Sequence, residues 1–330
     1  MTLRLEHWER SWPLAEPFTI SRGTDYEVAT LQVRLTDARG NVGRAEAIGI
    51  PYHGDTPATI AAEIEAVRAE IERGIDREAL LDLLPAGGAR HGIDAALWDL
   101  EAKRDGISPF VRAGVSPAPL DCDRTIGMRS LDGYETMARQ LARHRVIKVK
   151  VGLGDERDLA AIDAVRRGAP TSELIIDPNQ AWSPEQVREW SQRLAAIGVV
   201  LLEQPIAVGA EAALDGWQGP VPIAADELID DIADLDKAEN RFQFINIKLD
   251  KSGGLTAGLK LADEAQRRGF GLMIGCMNGS SLSMAPGMVL AQRCRFVDLD
   301  GPPAQTEDWQ HGFVYIDGRV ERPHVPALWG

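Results

Sequence analysis

Five short apolar runs close on charged residues, each with enough chain after it for a helix to return: RVIKVK (145–150), LIIDPN (174–179), VVLLEQP (199–205), PIAADE (222–227) and FINIKLDK (244–251). A buried strand tolerates a charge only where that charge is paired or used. Five successive strands ending alike therefore point to one shared place. A parallel β/α barrel supplies it, because all its strand C-termini open on the same face. In chain order the charges are Lys148 and Lys150, Asp177, Glu203, Asp226 and Lys248, so three carboxylates lie between amines.

The surrounding chain alternates in the same way. A strand near 121–127, a helix from Leu131, and the runs GLMIGCM (271–277) and RFVDLD (295–300) bring the strands to eight. A repeat of roughly 22–30 residues favours a β/α barrel over a doubly wound sheet. Residues 1–50 differ: they alternate apolar and polar, with 37–41 reading as a hairpin connection. Helical spacing follows over 56–73 and 88–105, where Thr56-Pro57 reads as an N-cap with proline at the first helical position. The first third is thus α+β. The tail GFVYIDGRV (312–320) reads as a hairpin returning to the first region's sheet.

Composition narrows the class of function. The chain has 330 residues, 44% hydrophobic and 26% charged, enough for a large core. Its opening residues lack an apolar signal region, and its longest apolar stretch falls well short of the roughly 20 residues of a membrane span. Cys122, Cys276 and Cys294 are odd in number and have no metal-ligand spacing, which indicates a reducing compartment, by default the cytoplasm. A formal net charge of −14 argues against nucleic acid or an anionic membrane as partner. A small-molecule substrate remains, and nothing opposes assembly as a homo-oligomer.

Asp177, Glu203 and Asp226 form an oxygen-only set suited to a hard cation such as Mg²⁺ rather than zinc. Helix capping is the bland alternative for any one of them, but capping does not require three consecutive strands to end alike. In Lys148-Val149-Lys150 the strand period of two puts both amines on the inward side. Crowding and desolvation there predict a lysine pKa lowered toward about 7–8, the range of a general base. Lys248, four strands on, lies nearly across the barrel. Two bases on opposite faces of one substrate suit removal of an α-proton from one side and its return to the other. Snorkelling surface lysines are the alternative.

IKVK, DPNQAW, EQP, ADE and IKLDKSGGL, with GIDAALWDLEAK (92–103) upstream, resemble the enolase superfamily, in particular its muconate-lactonising-enzyme-like subgroup. The resemblance spans nearly the whole chain. It implies an α/β fold: a modified TIM barrel, (β/α)7β, over 116–304, under an α+β capping domain over 1–115 to which the 305–330 tail returns. It also implies Mg²⁺ on the three carboxylates and an enediolate formed from a carboxylate substrate. Mandelate-racemase-like members place a His after the seventh strand, where this chain has GLMIGCMNGSS, so the base opposite Lys150 is Lys248.

Asp298 and Asp300, read as two apart on the eighth strand, point the same way and suit a substrate ammonium. They resemble the Asp-x-Asp with which this family's dipeptide epimerases hold a free amino terminus. An acidic turn is the alternative. Arg22 lies on a segment resembling the cap loop over the substrate, where a guanidinium could clamp a side-chain carboxylate, as in L-Ala-L-Glu epimerised during murein peptide recycling. IPYHGDTP (50–57) looks like a second lid element, shorter than the family form, and Met277, Asn278 and Ser280 either line a side-chain pocket or begin the next helix. The expected activity is Mg²⁺-dependent dipeptide epimerisation, with Lys150 and Lys248 as bases and Lys148 helping to stabilise the enediolate. The competitors are an N-acylamino-acid racemase or o-succinylbenzoate synthase, and a non-catalytic ligand-binding barrel.

Overall fold

The computed structural model describes residues 2–321 and 326–330. Eight parallel strands form one sheet in chain order: Arg124–Ile126, Val146–Lys150, Glu173–Asp177, Val199–Glu203, Ile223–Ala225, Phe244–Lys248, Gly271–Gly275 and Phe296–Val297. The sheet curls until the Asp123 N–H donates to the Val297 carbonyl at 2.9 Å, which brings the last strand against the entry to the first.

Strand alternation explains both the core and the site. Val146, Ile175, Leu201, Ala224, Met273 and Phe296 pack together inside the barrel as an apolar floor. Two residues further along the same inward faces stand Lys148, Asp177, Glu203 and Asp226, as the period of two requires. The intervening residues, among them Ile147, Val149, Ile176, Leu202 and Ile247, belong to the layer that packs against the helices. The helical layer is uneven. Helices Leu131–Gln140, Glu156–Gly168, Pro184–Ala196, Leu255–Arg267 and Ser281–Ala291 are regular, whereas the fourth connection holds a 3-10 turn, Glu211–Leu214, and the fifth a four-residue helix, Leu235–Ala238.

The N-terminal region is an antiparallel meander, Leu3–Ile20, Gly23–Asp37 and Val42–Ala47, covered by Pro57–Ala66 and Gly88–Asp105. Leu5, Leu31, Val33 and Leu35 pack beneath Ile60, Ile64, Ile93 and Leu100. The helix lies so close that a Cβ on Gly43 would stand 2.1 Å from the Ala96 carbonyl oxygen, so only glycine fits there. Pairing of the first two strands shifts between Pro13 and Phe18 and resumes to Ile20 opposite Gly23, which carries this hairpin out over the barrel mouth.

Two expectations need correction. The tail hairpin, Tyr315–Ile316 with Arg319–Val320, pairs with Leu120–Asp121 beside the barrel entry and not with the first region's sheet. The free edge at Leu120–Asp121 takes up its unpaired backbone groups. The final residues do reach the N-terminal region, but on its long helix: Trp329 Nε1 donates to the Ala95 carbonyl at 3.1 Å and the Gly330 N–H to Asp99 at 2.6 Å. The eighth strand ends at Val297, so Asp298 and Asp300 lie in the loop after it rather than on it.

Candidate active site

At the C-terminal mouth of the barrel, Asp177 and Glu203 are wholly buried and Asp226 nearly so. Each is turned to an amine. Lys150 Nζ lies 2.5 Å from Asp177 Oδ2, Lys248 Nζ 2.8 Å from Asp226 Oδ2 and Lys251 Nζ 2.8 Å from Asp226 Oδ1. Lys148 Nζ sits centrally, 2.7 Å from both Glu203 Oε2 and Asp298 Oδ2 and 3.2 Å from Asp177 Oδ2. The strands place these groups by register, with Lys150 opposite Asp177 across the second and third.

At Lys148 the expected lowering of a lysine pKa is reversed. Burial opposes a charge on Lys148, but Asp298, Glu203 and Asp177 overcome it and hold the amine well above the ordinary lysine value. Lys248 is raised in the same way by Asp226 and Glu203. Carboxylates at contact distance outweigh amine crowding and desolvation at these two lysines. Glu203 shows the other side of the balance: burial and then Asp177 push its carboxyl up to about 8, against the pull of Lys148.

The donor set fits a hard cation. It offers buried carboxylate oxygens only, and Glu203 Oε2 has no hydrogen bond among the described residues, its contact with Lys148 being an ion pair outside hydrogen-bonding geometry. The oxygens of Asp177, Glu203 and Asp226 are not gathered as tightly as in a finished metal site. Among the described residues, mutual approach within 4.8 Å is met instead by Cys276, Asp298 and Asp300. The amines account for the difference, since Lys248 and Lys251 between them take both oxygens of Asp226.

A cavity of about 360 Å³ opens above these groups. Lys148, Lys150, Lys248, Asp298 and Asp300 line it from the barrel, with Met277 and Asn278 after the seventh strand. Phe18, Ile20 and Arg22 of the cap hairpin and Tyr52 of the 50s loop close it from above. Arg22 Nη1 donates to Glu227 Oε1 at 2.9 Å and the guanidinium carbon stands 5.1 Å from the Tyr52 ring centre. Asp298 accepts from Lys148, and Asp300 from the Thr125 N–H at 2.7 Å and Arg124 at 3.2 Å. All of these bonds fall on Oδ2; among the described residues none falls on either Oδ1. Ser280 stands apart. It is wholly buried, caps the next helix and donates through its N–H and Oγ to Glu46, both at 2.8 Å, as the helix-start reading expects.

Several participants escaped sequence reasoning. Lys251, Asn179 and Glu227 sit inside IKLDK, DPNQAW and ADE, where the motif does not mark them individually. Their positions three, two and one residues from Lys248, Asp177 and Asp226 were the available signal. Tyr52 belongs to the segment already singled out as a lid.

Residues 134–328 match the family described as Enolase C-terminal domain-like, and residues 3–110 the mandelate racemase / muconate lactonizing enzyme N-terminal domain. The chain belongs to the enolase superfamily. Among superfamily relatives, L-Ala-D/L-Glu epimerase of Escherichia coli is 35% identical over 314 residues, covering 95% of this chain and 98% of that protein. N-acetyl-D-glutamate racemase of a Pseudoalteromonas species is 37% identical over 291 residues, covering 87% and 91%. A superfamily member from Agrobacterium tumefaciens with homology to dipeptide epimerases, crystallised with sodium and L-Ala-L-Glu, superposes with a TM-score of 0.95 at 36% identity, covering 99% of this chain and 100% of that one.

Proposed function

We propose that this chain is a Mg²⁺-dependent dipeptide epimerase, which inverts the α-carbon of the C-terminal residue of L-Ala-L-Glu or a related dipeptide. The observation that carries this reading is that Lys150 and Lys248, from strands nearly across the barrel, line the same cavity as the two aspartates. When bound by Asp177, Glu203 and Asp226, Mg²⁺ supplies positive charge beside the substrate carboxylate. One lysine takes the α-proton, leaving an enediolate, and the other returns a proton to the opposite face. The abstracting lysine must be neutral. Were Asp226 to hold the cation, it would stabilise the ammonium of Lys248 less. Lys148, which is also paired with Asp298 outside the metal set, faces the developing negative oxygens. Asp298 and Asp300, each with Oδ1 available, take the dipeptide ammonium, and Arg22 takes a side-chain carboxylate. Three unpaired cysteines suit a cytoplasmic setting for this reaction.

The similarity to an N-acetyl-D-glutamate racemase makes the blocked amine a second reading. Lys148 and Arg124 already engage the Oδ2 atoms of Asp298 and Asp300, and the two open Oδ1 atoms suit the several donors of an ammonium better than the single N–H of an N-acyl group, which favours the free amine. The test is α-deuterium exchange, followed by mass spectrometry across L-Ala-X and X-Glu dipeptides and N-acetyl amino acids, with and without Mg²⁺. Exchange of both epimers of a free dipeptide is expected with Mg²⁺. Lys150→Ala should keep exchange of one epimer and Lys248→Ala of the other, with epimerisation lost in both. Normal epimerisation by both variants would overturn the two-base scheme, and faster exchange of the N-acetyl series would select the racemase.

A further inference from the structure

A hydrogen-bonded chain runs from the cap into one base. Arg22, at the turn of the cap hairpin, donates to Glu227 Oε1 at 2.9 Å. The same oxygen accepts from Asn179 Nδ2 at 3.3 Å, and Asn179 Oδ1 accepts from Lys150 Nζ at 3.2 Å. Glu227 and Asn179 are buried, and Glu227 Oε2 has no partner among the described residues. Arg22 is therefore the cation that makes a buried Glu227 carboxylate tolerable, and Glu227 in turn is one of the groups that orient the Asn179 amide. That amide is presented edge-on between them, its donor toward Glu227 and its acceptor toward Lys150. No equivalent link reaches the other base among the described residues, where Lys248 donates to Asp226.

We propose that Asn179 and Glu227 are positioning residues through which the cap hairpin sets the Lys150 amine, so that closure over the barrel acts on one of the two bases and leaves the other to its own carboxylate. The asymmetry is what distinguishes this from ordinary structural support. Weakening the chain moves Lys150 alone, whereas a loosened cap or barrel disturbs both bases. The idea rests on the two-base reading above, and its test separates the two.

In the metal-loaded enzyme, Asn179→Ala and Glu227→Gln should slow α-deuterium exchange of the epimer that Lys150→Ala ceases to exchange by about tenfold or more. Exchange of the other epimer should change by less than about threefold, the small effect expected of a site without shared partners. Arg22→Met combined with Glu227→Gln should cost little more than the worse single variant, since both cut the same chain. A second measurement needs no substrate: competitive trace acetylation, read by mass spectrometry as the ratio of Lys150 to Lys248 labelling. That ratio should shift by more than about twofold in Asn179→Ala and Glu227→Gln. Equal slowing of both epimers, or an unchanged labelling ratio, overturns the proposal. A parent enzyme that exchanges no dipeptide, with the labelling ratio still shifting, overturns the dipeptide reading and leaves the positioning role standing.

Discussion

Glu203 shows how single residues at the mouth of the barrel encode a cation. Its carboxyl is wholly buried between Asp177 and Asp226, one oxygen accepts from Asn246 at 3.0 Å, and the other lacks a hydrogen bond among the described residues. A neutral glutamine of the same shape keeps a bond to Asn246 and removes the repulsion, so Glu203→Gln should leave the metal-free fold at least as stable as the parent near neutral pH. It should abolish the gain from metal. Mg²⁺ at about 100 times its Kd should stabilise the parent by about 2.7 kcal/mol. Thermal melting with Mg²⁺ and with chelator checks this, and an undiminished Mg²⁺ shift in the variant would remove Glu203 from the ligand set. The acid identities were legible because three consecutive apolar runs close on carboxylates. Their present partners were not, because Lys251 is one helical turn past Lys248 and nothing in a strand pattern says that a turn will fold back onto Asp226.

At the scale of elements, the strand period carried most of the information. It puts Val146, Lys148 and Lys150 on one face, and the structure builds both the apolar floor and the charged mouth from that alternation. The same period leaves an inward position on the seventh strand at Gly275, where an added Cβ would lie 2.7 Å from Asn246 Oδ1 and 2.9 Å from Lys248 Cε. The glycine makes room for the lysine of the neighbouring strand, which pairs with it in register. Gly275→Ala should therefore displace the Lys248 amine while the fold persists, because only side-chain ends have to move. Exchange at the epimer served by Lys248 should fall by about a hundredfold, with the Lys150 epimer much less affected. Equal losses at both epimers would mean that Asn246 and its bond to Glu203, and not Lys248 alone, had been disturbed. Where elements are short the pattern fails: two residues of eighth strand cannot display a period, which is why Asp298 and Asp300 read as strand residues.

On the scale of the whole molecule, the site exists only because the cap is fixed to the barrel, and buried polar contacts do much of the fixing. Arg90 donates to the Ser252 and Gly253 carbonyls, Trp98 to Thr256, and Glu46 accepts from Ser280. None of these long-range pairs has a local signature, so the sequence could mark two regions and their lid segments without saying which residues join them. Asp250 is one such joint close to the chemistry. It is buried two residues after Lys248, and its Oδ1 accepts the N–H groups of Ile48 and Gly49, both at 2.9 Å, just before Pro51 and Tyr52 enter the cavity wall. Asp250→Ala removes a charged acceptor from two buried donors and should destabilise the protein by about 3 kcal/mol, measured by urea unfolding. Since Lys248 stays on its strand, the larger kinetic effect should be on substrate binding, with KM raised about tenfold and kcat lowered less. Amide exchange at Ile48 and Gly49 should accelerate with it. If kcat falls while KM and those amides are unchanged, Asp250 acts on the neighbouring base and not on the lid, and the cap owes its placement to the other contacts.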